Sequence, residues 1–194
     1  MTKENKREMI LNALETLLPG RRFHEITLDE VARTAQVGKG TIYLYFSDKD
    51  ALFAELVVFQ MERLCDGLSM LATADKSQIP EQIFALVSQF ISSHQNYFGA
   101  VGEAASQIAR LNQQQHSKLR EQARKIVDTI TGIMARMNNS WSESDARDYA
   151  RLLLWLIDGY CRTLNADPAV RLPEPAMLLN FFRQGAALPL NGSK

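Results

Sequence analysis

Residues 27–49 read TLDEVARTAQVGKGTIYLYFSDK, and several local rules converge on this stretch. Thr27 followed three residues later by Glu30 is the pattern of a capping box. The threonine hydroxyl accepts from the Glu30 amide, and the Glu30 carboxylate accepts from the Thr27 amide. Ile26 and Val31 occupy the two positions of a hydrophobic staple around that cap. A short helix from Leu28 to Ala35 follows. Gln36-Val37-Gly38 then supplies a three-residue turn containing glycine, the connection expected between two helices that cross steeply. A second helix is expected over Lys39–Phe46. Its Ile42 and Phe46, four residues apart, share one face and turn toward a core with Val31, Ala35 and Val37. Lys39, Gly40, Thr41, Tyr43 and Tyr45 are left on or beside the opposite face.

The exposed set suits the major groove of duplex DNA. Lys39 reaches phosphate or guanine, and Gly40 lets the backbone approach closely. Thr41 meets a base edge or a thymine methyl, and Tyr43 and Tyr45 donate to phosphate while their rings pack on sugar or methyl groups. Thr27 and Lys49 stand at the starts of flanking helices, where amides and a cation clamp phosphates. Together these are the parts of a helix-turn-helix. A capped helix, a turn and another helix also occur in bundles that read nothing, so the local pattern leaves a protein-interaction module open. The charge is also modest. Residues 1–49 hold eight Lys and Arg against seven Asp and Glu, a net +1, which is a weak footprint for a nucleic-acid binder.

Outward from this stretch the chain is helical in pattern throughout. Its 194 residues are 46% hydrophobic and 23% charged, with 22 basic and 22 acidic side chains and a mean hydropathy of −0.19. Such a composition excludes disorder as the main state. No apolar run approaches the roughly 20 residues of a membrane span. The N-terminus, MTKENKREM, carries no apolar leader, and Cys65 and Cys161 sit inside helical patterns rather than in a disulfide framework. The expectation is a cytoplasmic protein. Strand alternation is absent, and about nine helices are expected, an all-α fold. Ile10, Ala13, Leu14, Leu17 and Leu18 mark the first helix. Leu52, Leu56, Phe59, Leu64 and Leu68 mark a long one after Ser47-Asp-Lys-Asp. Further stripes follow after Pro80, from Tyr97 to Arg110, over Leu119–Met137, over Glu143–Leu164 and after Pro175.

Residues 6–56 as a whole resemble the N-terminal domain of the TetR family of transcriptional regulators. The resemblance is carried by Ile10-Leu-Asn-Ala-Leu, by Phe23 before Ile26-Thr27, and by Thr27-Leu-Asp-Glu-Val-Ala. Ala35-Gln-Val-Gly-Lys-Gly-Thr-Ile-Tyr-Leu-Tyr-Phe and Ser47-Asp-Lys-Asp-Ala-Leu-Phe complete it, in the family's order and spacing. Gly38 stands where a serine is frequent, and Tyr45 where a histidine is frequent. The resemblance implies a DNA-binding domain at 1–49 and an effector-binding and dimerisation domain at 50–194. It also implies a ligand-responsive regulator, usually a repressor released from its operator by a small molecule.

A single helix-turn-helix reads only a few base pairs, so two copies on a pseudo-palindromic operator are required. Leu152, Trp155, Leu156, Gly159 and Tyr160, with Phe181 and Phe182, exceed what one core-facing stripe needs. The resemblance places the homodimer interface on these last two helices. It also implies a cavity in the C-terminal helices. Candidate lining residues are Phe59, Arg63, Phe84, Phe90, His94, Tyr97, Phe98 and Trp155, a set that points to a mainly apolar effector. No catalytic constellation is visible. His24, His94 and His116 are isolated from one another, so neither a metal nor a cofactor is expected.

Overall fold

Apolar residues recurring at three- and four-residue spacing leave a helix one way to hide its stripe, against other helices. The computed structural model of the chain describes residues 3–71, 76, 78–98, 111–166 and 169–187. Among them are eight α-helices and no strand, the all-α class that the pattern predicts. They are α1 (Lys3–Leu17), α2 (Leu28–Thr34), α3 (Lys39–Tyr43), α4 (Lys49–Met70), α5 (Ile79–Phe98), α6 (Gln113–Met137), α7 (Glu143–Ala166) and α8 (Pro175–Ala187). A 3-10 turn, Phe23–Glu25, separates α1 from α2. Most of the helix expected from Tyr97 to Arg110 falls outside the described residues. No described helix is long and apolar enough to cross a membrane.

The chain divides into two compact units, residues 1–63 with 92–124, and residues 64–91 with 125–194. The first is built on a closed apolar core. Ile10, Leu11 and Leu14 of α1, Val31 of α2, Ile42 of α3 and Leu52, Phe53 and Leu56 of α4 are all buried in one cluster. Phe23 is buried beneath α4, its ring centroid 4.6 Å from that of Phe53. Polar bonds tie α4 to its neighbours. The Arg7 and Lys118 side chains both donate to the Glu55 carboxylate. Burial pushes that carboxyl upward, but the two cations outweigh it and hold it below its usual range. Arg63 pairs with Glu15 at 3.2 Å.

The second unit packs Leu64, Leu68, Ile83, Phe84 and Val87 with Ile130, Ile133, Met134, Leu153 and Ile157 as its buried residues. Its α7 starts from a second capping box, with the Asp145 amide donating to the Ser142 hydroxyl at 3.1 Å and the Ser142 amide to Asp145 at 3.0 Å. Trp141 stacks on Tyr149 at 4.2 Å between centroids, and Phe182 meets Tyr149 edge-on at 6.3 Å. These contacts seat α8 on α7, and Arg183 fastens it to Glu81 of α5 at 2.6 Å.

Candidate nucleic-acid interface

The capping box forms as the spacing requires. The Glu30 amide donates to Thr27 Oγ1 at 3.2 Å, and the Thr27 amide donates to Glu30 Oε2 at 2.8 Å. Arg21 reaches the same carboxylate at 3.1 Å. The Thr27 amide, then the Arg21 guanidinium and the Thr27 hydroxyl, hold Glu30 down at a pKa of about 2. Ile26 and Val31 are both buried in the first unit's core, which fixes the angle at which the chain enters α2. Thr27 is exposed, but its amide and hydroxyl protons both go to Glu30. In the unbound protein it completes a cap, so a phosphate contact from it must displace Glu30.

The turn after α2 closes differently from the glycine-centred expectation. Gln36, not Gly38, adopts the left-handed conformation, with φ of 54°. The Val37 amide donates to the Ala32 carbonyl at 2.9 Å and the Gln36 amide to the Arg33 carbonyl at 3.2 Å. This pair of bonds is a Schellman motif, with Gln36 in the position usually held by glycine. Val37 packs back on the core behind it. Gly38 is the N-cap of α3, in extended conformation at φ −71°, with no side chain to cap the helix.

The second helix is shorter than the expected Lys39–Phe46. It runs Lys39–Tyr43, and Leu44 and Tyr45 continue it as a tightened turn with amides bonded to Thr41 and Ile42, three residues back. Ile42 and Phe46 are buried as their spacing predicts. On the other side Lys39, Gly40, Tyr43 and Leu44 are exposed and Thr41 is half-buried. Tyr45 is half-buried, packed against the core. Leu44 was not singled out by the sequence, because a leucine inside an apolar-rich helix reads as core.

Both lysines expected to meet DNA have partners in the protein. Lys39 donates to Asp29 of α2 at 2.8 Å, and that bond holds its pKa above the usual lysine value. Lys49 lies over the Phe23 ring at 4.6 Å and donates to the His24 carbonyl at 3.1 Å. Burial of its stem lowers its pKa. An ammonium carries three donors, so each contact leaves the lysine able to meet a phosphate from a fixed position.

The residues expected to line an effector cavity fall in both compact units. Phe59 packs against the first unit's core, with the Arg63 guanidinium 5.9 Å from its ring centroid. Phe84 is buried in the second unit against Tyr160, centroids 5.5 Å apart, and Phe90 is half-buried there. Trp155 is 71% exposed. The side chains of His94, Tyr97 and Phe98 lie outside the described residues.

The residues expected at a dimer interface divide by face. Along α7, Ala146, Ala150, Leu153, Ile157 and Cys161 are buried. Leu152, Trp155 and Gly159 form a second stripe, all exposed. An added Cβ on Gly159 would meet nothing within 4 Å. Leu156 and Tyr160 are half-buried between the two stripes. On α8, Phe181 is 74% exposed while its neighbour Phe182 turns in to Tyr149.

Residues 10–56 match the model of bacterial regulatory proteins, tetR family. Over 102 residues the chain is 26% identical to YxbF, an uncharacterized HTH-type transcriptional regulator of Bacillus subtilis (strain 168). That match covers 50% of this chain and 27% of YxbF, so the chain spans about a quarter of that relative's length. Two solved structures share the fold over nearly the whole chain. One is a TetR transcriptional regulator from Legionella pneumophila, with a TM-score of 0.65 at 14% identity, covering 96% of each chain. The other is the regulator FadR from Bacillus subtilis in complex with stearoyl-CoA, with a TM-score of 0.55 at 17% identity, covering 96% of this chain and 99% of that one.

Proposed function

We propose that this chain, whose residues 10–56 match the model of bacterial regulatory proteins, tetR family, is a dimeric, ligand-responsive, sequence-specific DNA-binding regulator that represses transcription until a small molecule releases it. Residues 1–49 serve as the reading head, and residues 50–194 bind the effector and join two copies.

The observation that carries this reading is the two-sided build of residues 39–46. Ile42 and Phe46 are anchored in the core, while Lys39, Gly40, Tyr43 and Leu44 stand outside it. Such a segment presents side chains of fixed position to a partner, and their chemistry is that of groove and phosphate contacts. Lys39 and Lys49, each braced by a neighbour, meet phosphates on either side of the groove, and Thr27 adds a third contact where Glu30 yields. The second α7 stripe with Met177 and Phe181 of α8, apolar faces exposed on the single chain, supports a dimer. Two heads then address half-sites about one DNA turn, or a multiple of it, apart.

For the effector we propose a mainly apolar organic molecule seated around Phe84 and Phe90. FadR, named with stearoyl-CoA, carries a ligand with a long apolar chain on a similar fold, which supports the class without identifying the compound. Coupling requires that the effector bind the DNA-competent and DNA-incompetent arrangements unequally.

The deciding experiment is selection of genomic fragments by the purified protein, followed by a salt titration on the selected duplex. A pseudo-palindrome is expected, with log K falling by roughly 0.9 per phosphate neutralised for each unit of log salt. Recovery of random fragments, or binding indifferent to salt, overturns the reading. For the effector, a melting screen in which only charged metabolites without an apolar chain or ring raise Tm overturns the apolar class.

A further inference from the structure

Among the described residues of the first unit, Tyr43 and Leu44 are the large apolar side chains left exposed, at 51% and 79%. They are adjacent, and both stand on the segment that faces away from the core. A phenol ring has a polar tip to place in water or on a phosphate. A leucine has none. Scattered apolar side chains on a surface need no explanation, but this exposure is confined to one place and coincides with the reading helix.

Leu44 keeps right-handed helical backbone angles at the C-cap of α3, φ −72° and ψ −22°. It therefore lies one turn beyond Gly40 on the same face. At Gly40 an added Cβ would meet nothing within 4 Å. The backbone there is open to close approach, and the leucine side chain stands at the edge of that opening. Leucine offers no donor or acceptor, so it cannot read the hydrogen-bonding pattern of a base pair. In the major groove the thymine C5 methyl is the apolar feature of the base edges.

We infer that Leu44 is a specificity-determining residue that selects a thymine in each half-site by packing on its C5 methyl, with Gly40 giving the base edge room to approach. This inference rests on the DNA-binding reading above and adds to it a base preference that none of the polar contacts supplies. Thr41 and Tyr43 lie close enough to compete for the same methyl, and the test separates them from Leu44.

The experiment is a deoxyuridine scan of the selected operator, with each thymine replaced in turn by deoxyuridine, which pairs identically and lacks only the methyl. One position per half-site is expected at which the replacement weakens wild-type binding about fourfold, the worth of one buried methyl group. The Leu44→Ala protein is expected to bind the thymine operator more weakly by a similar factor and to be indifferent to deoxyuridine at that position. Its melting temperature stays at the wild-type value, since the side chain is 79% exposed. A flat scan with wild-type protein overturns the inference, even where Leu44→Ala weakens binding, because that outcome places the leucine on a sugar. A Leu44→Ala protein that still senses the methyl as strongly as wild type assigns the contact to Thr41 or Tyr43 and also overturns it. A wild-type protein that selects no sequence defeats the DNA-binding reading itself, an outcome distinct from either.

Discussion

Among the described residues, the first unit exposes two large apolar side chains, Tyr43 and Leu44 at the end of α3, whereas α7 and α8 of the second unit expose Leu152, Trp155, Leu164, Met177 and Phe181. The first has enough internal partners to close its core and to brace its lysines. The second satisfies one stripe of α7 and leaves another stripe of the same helix in water. Exposure has a different meaning in each place. At α3 it is a small patch next to a lysine, a glycine and a tyrosine hydroxyl, as contact with a polar and grooved partner requires. At α7 it is a row at three- and four-residue spacing, which is how a helix presents itself to another helix.

The strongest way to break this contrast is to place a charge in the outer stripe. In a two-fold interface every substitution is counted twice, and a buried unpaired cation is costly. Trp155→Arg is therefore expected to convert a dimer into a monomer in sedimentation equilibrium and to weaken operator binding about a hundredfold or more, since the two heads no longer bind as one ligand. The monomer should melt as a folded protein, because Trp155 touches little in its own unit. A variant that remains dimeric shows that the stripe faces something other than a second copy.

A smaller effect separates support from contact at Lys49. Lys49→Ala removes the cation above Phe23 and the bond to the His24 carbonyl, a loss of about 1 kcal/mol, visible as a Tm lower by a few degrees. If the ammonium also meets a phosphate, binding to every duplex weakens alike and the salt slope falls by about one unit. A lower Tm with an unchanged slope makes Lys49 a strut for the 3-10 turn and nothing more.

Glu30 offers a probe of the first unit that leaves the second untouched. Its folded pKa is about 2 against an ordinary 4.5, so the folded chain holds that proton less tightly than the unfolded one. The resulting stability is fully present above about pH 4.5 and is lost as the pH falls toward 2. Tm measured across that window should converge for wild type and Glu30→Gln at the acid end and diverge as the pH rises. Parallel curves throughout the window would mean that the carboxylate is not held by the Thr27 amide and Arg21 in solution.

How far these features could be read in advance depended on how local their causes are. The capping box needs two residues three apart, and the burial of Ile42 and Phe46 needs a four-residue spacing, so both were legible in the sequence. The bonds from Lys39 to Asp29 and from Lys49 to the His24 carbonyl join positions 10 and 25 residues apart through the packing of separate elements, and no periodicity encodes them. Phe59 lies on an apolar stripe that could serve a cavity or a core, and its partial packing against the first unit's core depends on tertiary contacts that no spacing encodes. The surplus of apolar residues on α7 was visible. Which stripe faces inward was not, because small residues, Ala146 and Ala150, occupy the buried side and the larger Trp155 the outer one.

The smallest expected effect concerns the turn, where the glycine and the strained backbone occupy different positions. A non-glycine residue in the left-handed region costs roughly 1–2 kcal/mol, and glycine loses about 0.5–1 kcal/mol more chain entropy on folding. Gln36→Gly is thus expected to stabilise the protein by roughly 0.5 kcal/mol, a rise in Tm of about 1–2 °C. At Gly38 the backbone is extended and the cap lacks a side-chain acceptor. An added Cβ there would meet only Thr41 Oγ1, at 3.9 Å. Gly38→Ser should therefore gain a few tenths of a kcal/mol through a serine cap, while Gly38→Ala should lose stability for want of that oxygen. A gain from Gln36→Gly together with a gain from Gly38→Ser would locate the strain at the end of α2 rather than the start of α3. If Gln36→Gly lowers Tm instead, the left-handed residue is held by contacts of its own side chain, and the Schellman account of the turn is incomplete.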